Sequence, residues 1–196
     1  MSPKTIVIIL VLLITGAGVL IWRLRHRTRA DDRFHEAIPN TIRLESGAFD
    51  DQGAIPVRFT CRGESASPPL HWSNLPEGSR SLALLMTDED LPAPGLRLFK
   101  IDHWVLYDIP LEVDHLTADA ATAQLHEQGI VVGRNWSRDR AYAPPCPPFG
   151  RHRYRWRLYA LDVEALEPVQ DTRRGVLEAM QGHILACGTL TGFYGR

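Results

Sequence analysis

Tyr154-Arg155-Trp156-Arg157-Leu158-Tyr159 alternates large apolar residues with arginines at a period of two. In an extended strand that period puts Tyr154, Trp156 and Leu158 on one face and the arginines on the other, the pattern of a strand with one buried and one wetted face. Short runs of period-two or continuous apolar character recur at 41–44, 55–59, 81–86, 103–109, 130–132, 154–161 and 189–193. They are separated by turn-rich pieces such as ESASPP, NLPEGS and APPCPPFG. A mainly β domain follows. The clearest helical signal is 172–185, where Val176, Leu177, Met180 and Ile184 recur at three to four residue spacing after a cap at Asp171 or Thr172. A second short helix is expected within 117–127.

The chain has 196 residues, enough for one ordinary domain and an appendage. Lys and Arg total 22 against 23 Asp and Glu, so no long-range field favours nucleic acid as a partner. Hydrophobic residues at 44% and charged residues at 23% fit a globular protein, and 14 Pro with 15 Gly disfavour long helical bundles. Cys61, Cys146 and Cys187 are odd in number and lack C-x-x-C spacing. No disulfide framework or structural zinc site can be read from them, and free thiols favour a reducing compartment.

Residues 5–22 contain no charge, and as a helix they would extend roughly 27 Å, just enough to span a bilayer. The expectation is one N-terminal transmembrane helix at 5–22, with 1–4 as its flank, 23–36 as a basic juxtamembrane linker and 37–196 as the globular domain. A cleaved signal peptide is the competing reading, because Lys4 precedes the run and Thr15-Gly16-Ala17 resembles a cleavage site. Arg23, Arg25, Arg27 and Arg29 outnumber Lys4, and the positive-inside rule then makes this a single-pass membrane protein with its domain in the cytoplasm.

The chain has no phosphate loop, dinucleotide fingerprint, H-E-x-x-H or G-x-S-x-G elbow. What remains is a set of polar residues at strand ends. Asp88 and Asp90 follow an apolar run and precede Pro92 and Pro94. His103 opens another run, and His152 with Tyr154 opens a third after Pro144-Pro145-Cys146-Pro147-Pro148-Phe149-Gly150. Each histidine alone is most simply a hydrogen-bonded structural residue; together they can line a small pocket for an anion.

The order S-P-P-L-x-W (67–72), D-x-D-x-P (88–92), H-W-V-L-Y-x-I-P (103–110), P-P-x-G-x-H-R-Y (147–154) and L-Y-A-L-D (158–162) resembles the phosphatidylethanolamine-binding protein family, in particular its bacterial Raf-kinase-inhibitor-like branch. The resemblance implies packed antiparallel sheets with a few peripheral short helices, and a pocket accepting phosphate-bearing or other anionic groups. Carried over by position, its ligand-binding residues are Asp88, Asp90, His103, Pro148, Gly150, His152 and Tyr154, with no metal, no cofactor and no shared catalytic reaction. The expected function is a membrane-anchored module for a small anionic, phosphate-bearing or headgroup-like ligand, with a kinase or protease as a further partner. The alternative is a hydrolase using Cys146 and His152. Two departures stand out: Glu89 adds a charge beside the pocket, and Arg138, Ala141 and Pro144 replace expected glycines.

Overall fold

The alternation at 154–159 lies inside β8 (Arg151–Leu161), a strand of eleven residues. The computed structural model describes residues 2–196, apart from the side chains at positions 4, 7, 8 and 11. On one side β8 pairs with β9 (Ile184–Gly195), on the other with β4 (Ser81–Leu91), both antiparallel. β5 (Phe99–Ile109) and β7 (Val131–Val132) extend the sheet beyond β4, and β2 (Gly53–Ala54) closes its far edge parallel to β9. The six-stranded order is β2-β9-β8-β4-β5-β7. A second sheet of three short strands, β1 (Arg43–Glu45), β3 (Leu70–Ser73) and β6 (His115–Leu116), runs in the order β1-β3-β6.

The main core joins the two sheets. Leu84, Met86, Trp104, Trp156 and Leu158 from the large sheet cluster with Leu44, Phe49, Leu70 and Trp72. Burying each of these side chains contributes roughly 1.5–3 kcal/mol. Behind the large sheet, Ala83, Leu85, Val105 and Tyr159 pack with Val176 and Met180 near α3 (Arg173–Ala179). β4 is therefore buried on both faces, which accounts for its unbroken apolar run in place of an alternation.

Three local expectations change. The segment 55–59 is a 3₁₀ turn at Val57–Phe59 following Pro56, whose missing N–H suits it poorly to a ladder. The helix expected over 172–185 stops at Ala179: Thr172 caps it by accepting from the Gly175 N–H, then Gly182 at φ +83° turns the chain and Ile184 opens β9. Ile184 matched the helical spacing by coincidence. The second helix, α2, is confined to Thr122–Glu127.

The expected transmembrane helix is not borne out. Residues 5–22 form the first part of a single helix, α1 (Pro3–Glu36), started by Pro3 and by the Ser2 hydroxyl accepting from the Thr5 N–H. The helix continues without interruption through Arg23, Arg25, Arg27, Arg29, Asp31, Asp32 and Arg33. Among the described residues no helix is long and apolar enough to cross a membrane. The single-pass localisation and the cytoplasmic orientation lose their basis with it; the Lys4 side chain weighed in that orientation lies outside the described residues.

The last turns of α1 belong to the fold. Lys100 Nζ donates to Asp31 and Asp32 at 2.6 Å each, the Thr28 hydroxyl donates to the Leu98 carbonyl at 3.1 Å, and the Tyr159 hydroxyl meets His35 Nδ1 at 2.9 Å. The arginine face of β8 is accordingly not wetted as the alternation suggested. Arg157 is 3% exposed and donates to Glu89 at 2.8 Å, and Arg155 reaches the same carboxylate at 3.0 Å.

Candidate binding site

Three adjacent strands bring four of the expected residues together on the inner face of the large sheet. Asp88 on β4 stands opposite Tyr154 on β8, two residues beyond His152. The His103 side chain on β5 arrives by a different route. The β4–β5 register shifts between the pairs Met86↔Trp104 and Thr87↔Asp102, so His103 is the extra residue of a bulge. A regular strand would send it to the face opposite Trp104; the bulge re-aims it, and its ring meets Tyr154 edge-on at 5.2 Å between centroids.

All four side chains are buried. His152 Nδ1 lies 2.8 Å from Asp88 Oδ2 and its Nε2 lies 2.9 Å from the Phe149 carbonyl. Both ring nitrogens thus face acceptors, and both contacts are hydrogen bonds only when the Asp88–His152 pair carries two protons. The other oxygen of Asp88 accepts from the Asp90 N–H at 2.9 Å. His103 donates from Nδ1 to the Ala143 carbonyl at 2.7 Å, which leaves Nε2 as a bare lone pair. Burial pushes the His103 imidazole below the usual histidine range, against the opposing pull of the Ala143 carbonyl and the Asp88 carboxylate. Burial, reinforced by Asp88, pushes the Tyr154 phenol far up, so it remains a neutral donor. His103 Nε2 has no hydrogen-bond partner among the described residues, and the Tyr154 hydroxyl, although close to the Asp88 carboxylate, makes no well-aligned hydrogen bond to it. Each such orphan costs about 1–3 kcal/mol, a cost that a bound polar ligand removes.

A cleft of about 420 Å³ opens beside this cluster, lined by Arg62, Pro148, Phe149, Gly150, Tyr194 and Arg196 together with Cys61 and Cys146. The segment 147–150 is both the wall of the cleft and, through the Phe149 carbonyl, the cap on His152. Pro148 and Gly150 line this cleft, whereas Asp88, His103, His152 and Tyr154 do not. Gly150 takes φ +70°, and a Cβ there would press on Pro94 at 3.1 Å, so this corner requires glycine.

Asp90 does not join the cluster. Its carboxylate takes the Arg153 N–H at 2.8 Å, Arg153 Nε at 3.0 Å and Nη2 at 2.6 Å, all on the outer face. Burial alone would raise the Asp90 carboxyl; the Arg153 hydrogen bonds overcome it and hold its pKa below the usual range. Glu89, the residue beside it, also turns outward, to Arg155, Arg157 and Lys100. Consecutive residues on one face are an irregularity, and the β4–β5 register indeed shifts between Asp88 and Leu91.

Cys61 and Cys146 form a disulfide across 85 residues of chain, and Cys187 is a buried thiol. Cysteine spacing gave no sign of the pairing. Because Cys146 is bonded to Cys61, its sulfur is not available as the nucleophile of the hydrolase alternative. Among the described residues no group of three His, Cys, Asp or Glu is placed to hold a metal ion.

The sequence profile of the phosphatidylethanolamine-binding protein family matches residues 45–195. A UPF0098 protein of Methanothermobacter thermautotrophicus is 44% identical over 156 residues, covering 79% of this chain and 99% of that protein. The crystal structure of CT736 from Chlamydia trachomatis, described as a phosphatidylethanolamine-binding protein homologue, superposes with a TM-score of 0.70 at 37% identity, covering 80% of this chain and 99% of that one. Escherichia coli YbcL, described as a member of the mammalian family, superposes with a TM-score of 0.69 at 25% identity over 80% of this chain and 99% of its own. The matched residues begin after α1.

Proposed function

Because this chain belongs to the phosphatidylethanolamine-binding protein family, whose fold is of a binding type, we propose that it is a binding module for a small anionic ligand bearing a phosphate or resembling a phospholipid headgroup. The observation that carries this is the pair of orphaned buried atoms, His103 Nε2 and the Tyr154 hydroxyl, set beside Asp88 and His152 next to the cleft.

Their chemistry is complementary to a protonated phosphate. The Tyr154 hydroxyl donates to a phosphate oxygen, and the His103 lone pair accepts from a P–OH group. Once the Phe149 carbonyl gives way, His152 Nε2–H donates a further, charge-assisted bond. Asp88, which would repel an anion directly, instead fixes the His152 ring from its far side. Arg62 and Arg196 in the cleft lining supply the positive field at the mouth.

Calorimetric titration with inorganic phosphate and phosphoethanolamine tests this. His152→Ala is expected to weaken binding by about 1.5–3 kcal/mol, the range for hydrogen bonds to charged groups, and Tyr154→Phe by a smaller amount. Both side chains are fully buried, so circular dichroism accompanies each titration. Unchanged affinity in both folded variants places the ligand elsewhere.

A further inference from the structure

The wall of the cleft is held in an unusual way. Pro144, Pro145, Pro147 and Pro148 carry no N–H, so most of the segment 144–148 has no backbone donor to fasten it to its surroundings. Apart from the buried Pro145 and close packing of 147–150 on Gly195, its ties are the Cys61 N–H donating to the Pro145 carbonyl at 3.1 Å, the Phe149 carbonyl on His152 Nε2 at 2.9 Å, and the Cys61–Cys146 bond. Both cysteines are solvent-exposed and line the cleft. The Phe149 side chain, 74% exposed, adds no packing against the core.

We propose that Cys61–Cys146 is a thiol–disulfide exchange site that controls access of the anionic ligand to His152, a role that rests on the ligand reading above. Oxidised, the bond keeps the proline-rich wall in place and the Phe149 carbonyl on His152 Nε2. A dithiol reductant opens it: one donor thiolate attacks a sulfur of the bond and forms a mixed disulfide, the freed protein thiolate takes a proton, and the donor's second thiolate expels the other protein sulfur. The donor leaves as its own disulfide and the protein holds two thiols. The wall then loses its covalent tie, the Phe149 carbonyl departs, and His152 Nε2–H is released toward the cleft. Exposure of both cysteines and the arginines Arg62 and Arg196 in the same cleft favour approach of an anionic thiolate.

The test compares three forms of the full chain: oxidised, reduced with dithiothreitol that is then removed anaerobically, and Cys61→Ser/Cys146→Ser. The His152 ring signal is followed by NMR without ligand, phosphate affinity by calorimetry and packing by near-ultraviolet circular dichroism. The His152 signal is expected to move in the reduced form and the variant alike. Phosphate affinity rises by more than about tenfold in both, the equivalent of one hydrogen bond to a charged group. A His152 signal indifferent to reduction, or loss of the near-ultraviolet signal in both reduced form and variant, makes the bond a staple and overturns the proposal. Phosphate binding equally to all three forms overturns the gate and leaves the ligand reading standing. A His152 signal that moves while phosphate binds no form sinks the ligand reading and the gate with it.

Discussion

The two faces of β8 hold polar groups under opposite terms. On the outer face Glu89 is surrounded by Arg155, Arg157 and Lys100, Asp90 is held by Arg153, and Asp31 and Asp32 of α1 complete the set against Lys100. Every one of those carboxylates has cationic partners. On the inner face, His103 Nε2 from β5 and the Tyr154 hydroxyl from β8 are buried without a hydrogen-bond partner among the described residues. Compensated charges fasten elements to one another, whereas orphaned polar atoms have a cost that only something absent from the folded chain can recover. Charge density by itself would have pointed to the outer face as the site. Unpaired atoms occur on the outer face too, at Glu89 Oε2 and Arg155 Nε, but those two groups share an ion pair at 3.0 Å, whereas His103 Nε2 and the Tyr154 hydroxyl lie in none.

The largest expected effect lies at Glu89. Burial alone would raise this carboxyl, but Arg157, Lys100 and Arg155 overcome it and bring its pKa to about 2. Glu89→Gln removes the anion that three cations share and leaves them uncompensated, with Arg157 almost wholly buried. A loss of about 3–5 kcal/mol is expected in urea denaturation, the range for breaking a buried pair from one side. A loss below about 1 kcal/mol would mean that the outer face is screened like an ordinary surface and that the contrast between faces is false.

The next effect is read in pH. Burial depresses the His35 imidazole to about 4, against the raising influence of its Asp31 hydrogen bond, with Arg157 and Arg173 also lowering it. The folded pKa lies below the unfolded value of 6.5, so between those limits the unfolded chain binds a proton that the folded chain does not. Stability is therefore full above about pH 6.5 and declines toward pH 4, by about 2–3 kcal/mol. Glu89 adds a separate loss from pH 4.5 downward as its depressed carboxyl is protonated. Denaturation midpoints measured from pH 7.5 to 3.5 should show the upper stage and the start of the lower one, and His35→Gln should shrink the upper stage while leaving the part that the depressed His103 imidazole contributes. An upper stage of unchanged size in that variant would assign the slope to another group.

The inner cluster was legible because its residues fall in ordered motifs, D-x-D-x-P, H-W-V-L-Y and P-P-x-G-x-H-R-Y, and the alternation at 154–159 correctly placed Tyr154 and Trp156 inward. Illegible was anything that depends on departure from a regular strand. The bulge that turns His103 inward and the irregularity that turns Glu89 and Asp90 outward leave no mark in hydrophobic periodicity. The pairing of Cys61 with Cys146 joins residues 85 apart, which no local pattern encodes. In α1 the uncharged run at 5–22 drew the reading toward a membrane. The more informative signal was Asp31 and His35, four residues apart and hence on one side of a helix, facing a basic surface.

Asp90 gives the smallest effect and the sharpest discrimination. It sits two residues from Asp88 and in the same motif, so sequence assigns both to the ligand. The structure separates them: Asp88 holds His152 on the inner face, Asp90 holds Arg153 on the outer. Arg153 is partly exposed, so Asp90→Ala should cost about 1 kcal/mol of stability, near the upper end for solvent-accessible pairs. Its phosphate affinity should stay within about twofold of wild type, as for independent sites. His152→Ala should show the reverse balance, with the larger change in affinity. If Asp90→Ala weakens phosphate binding as much as His152→Ala does, the Asp90 carboxylate acts on the inner cluster through the Asp90 N–H to Asp88 contact or by turning inward itself, and the two faces of β8 are one coupled site.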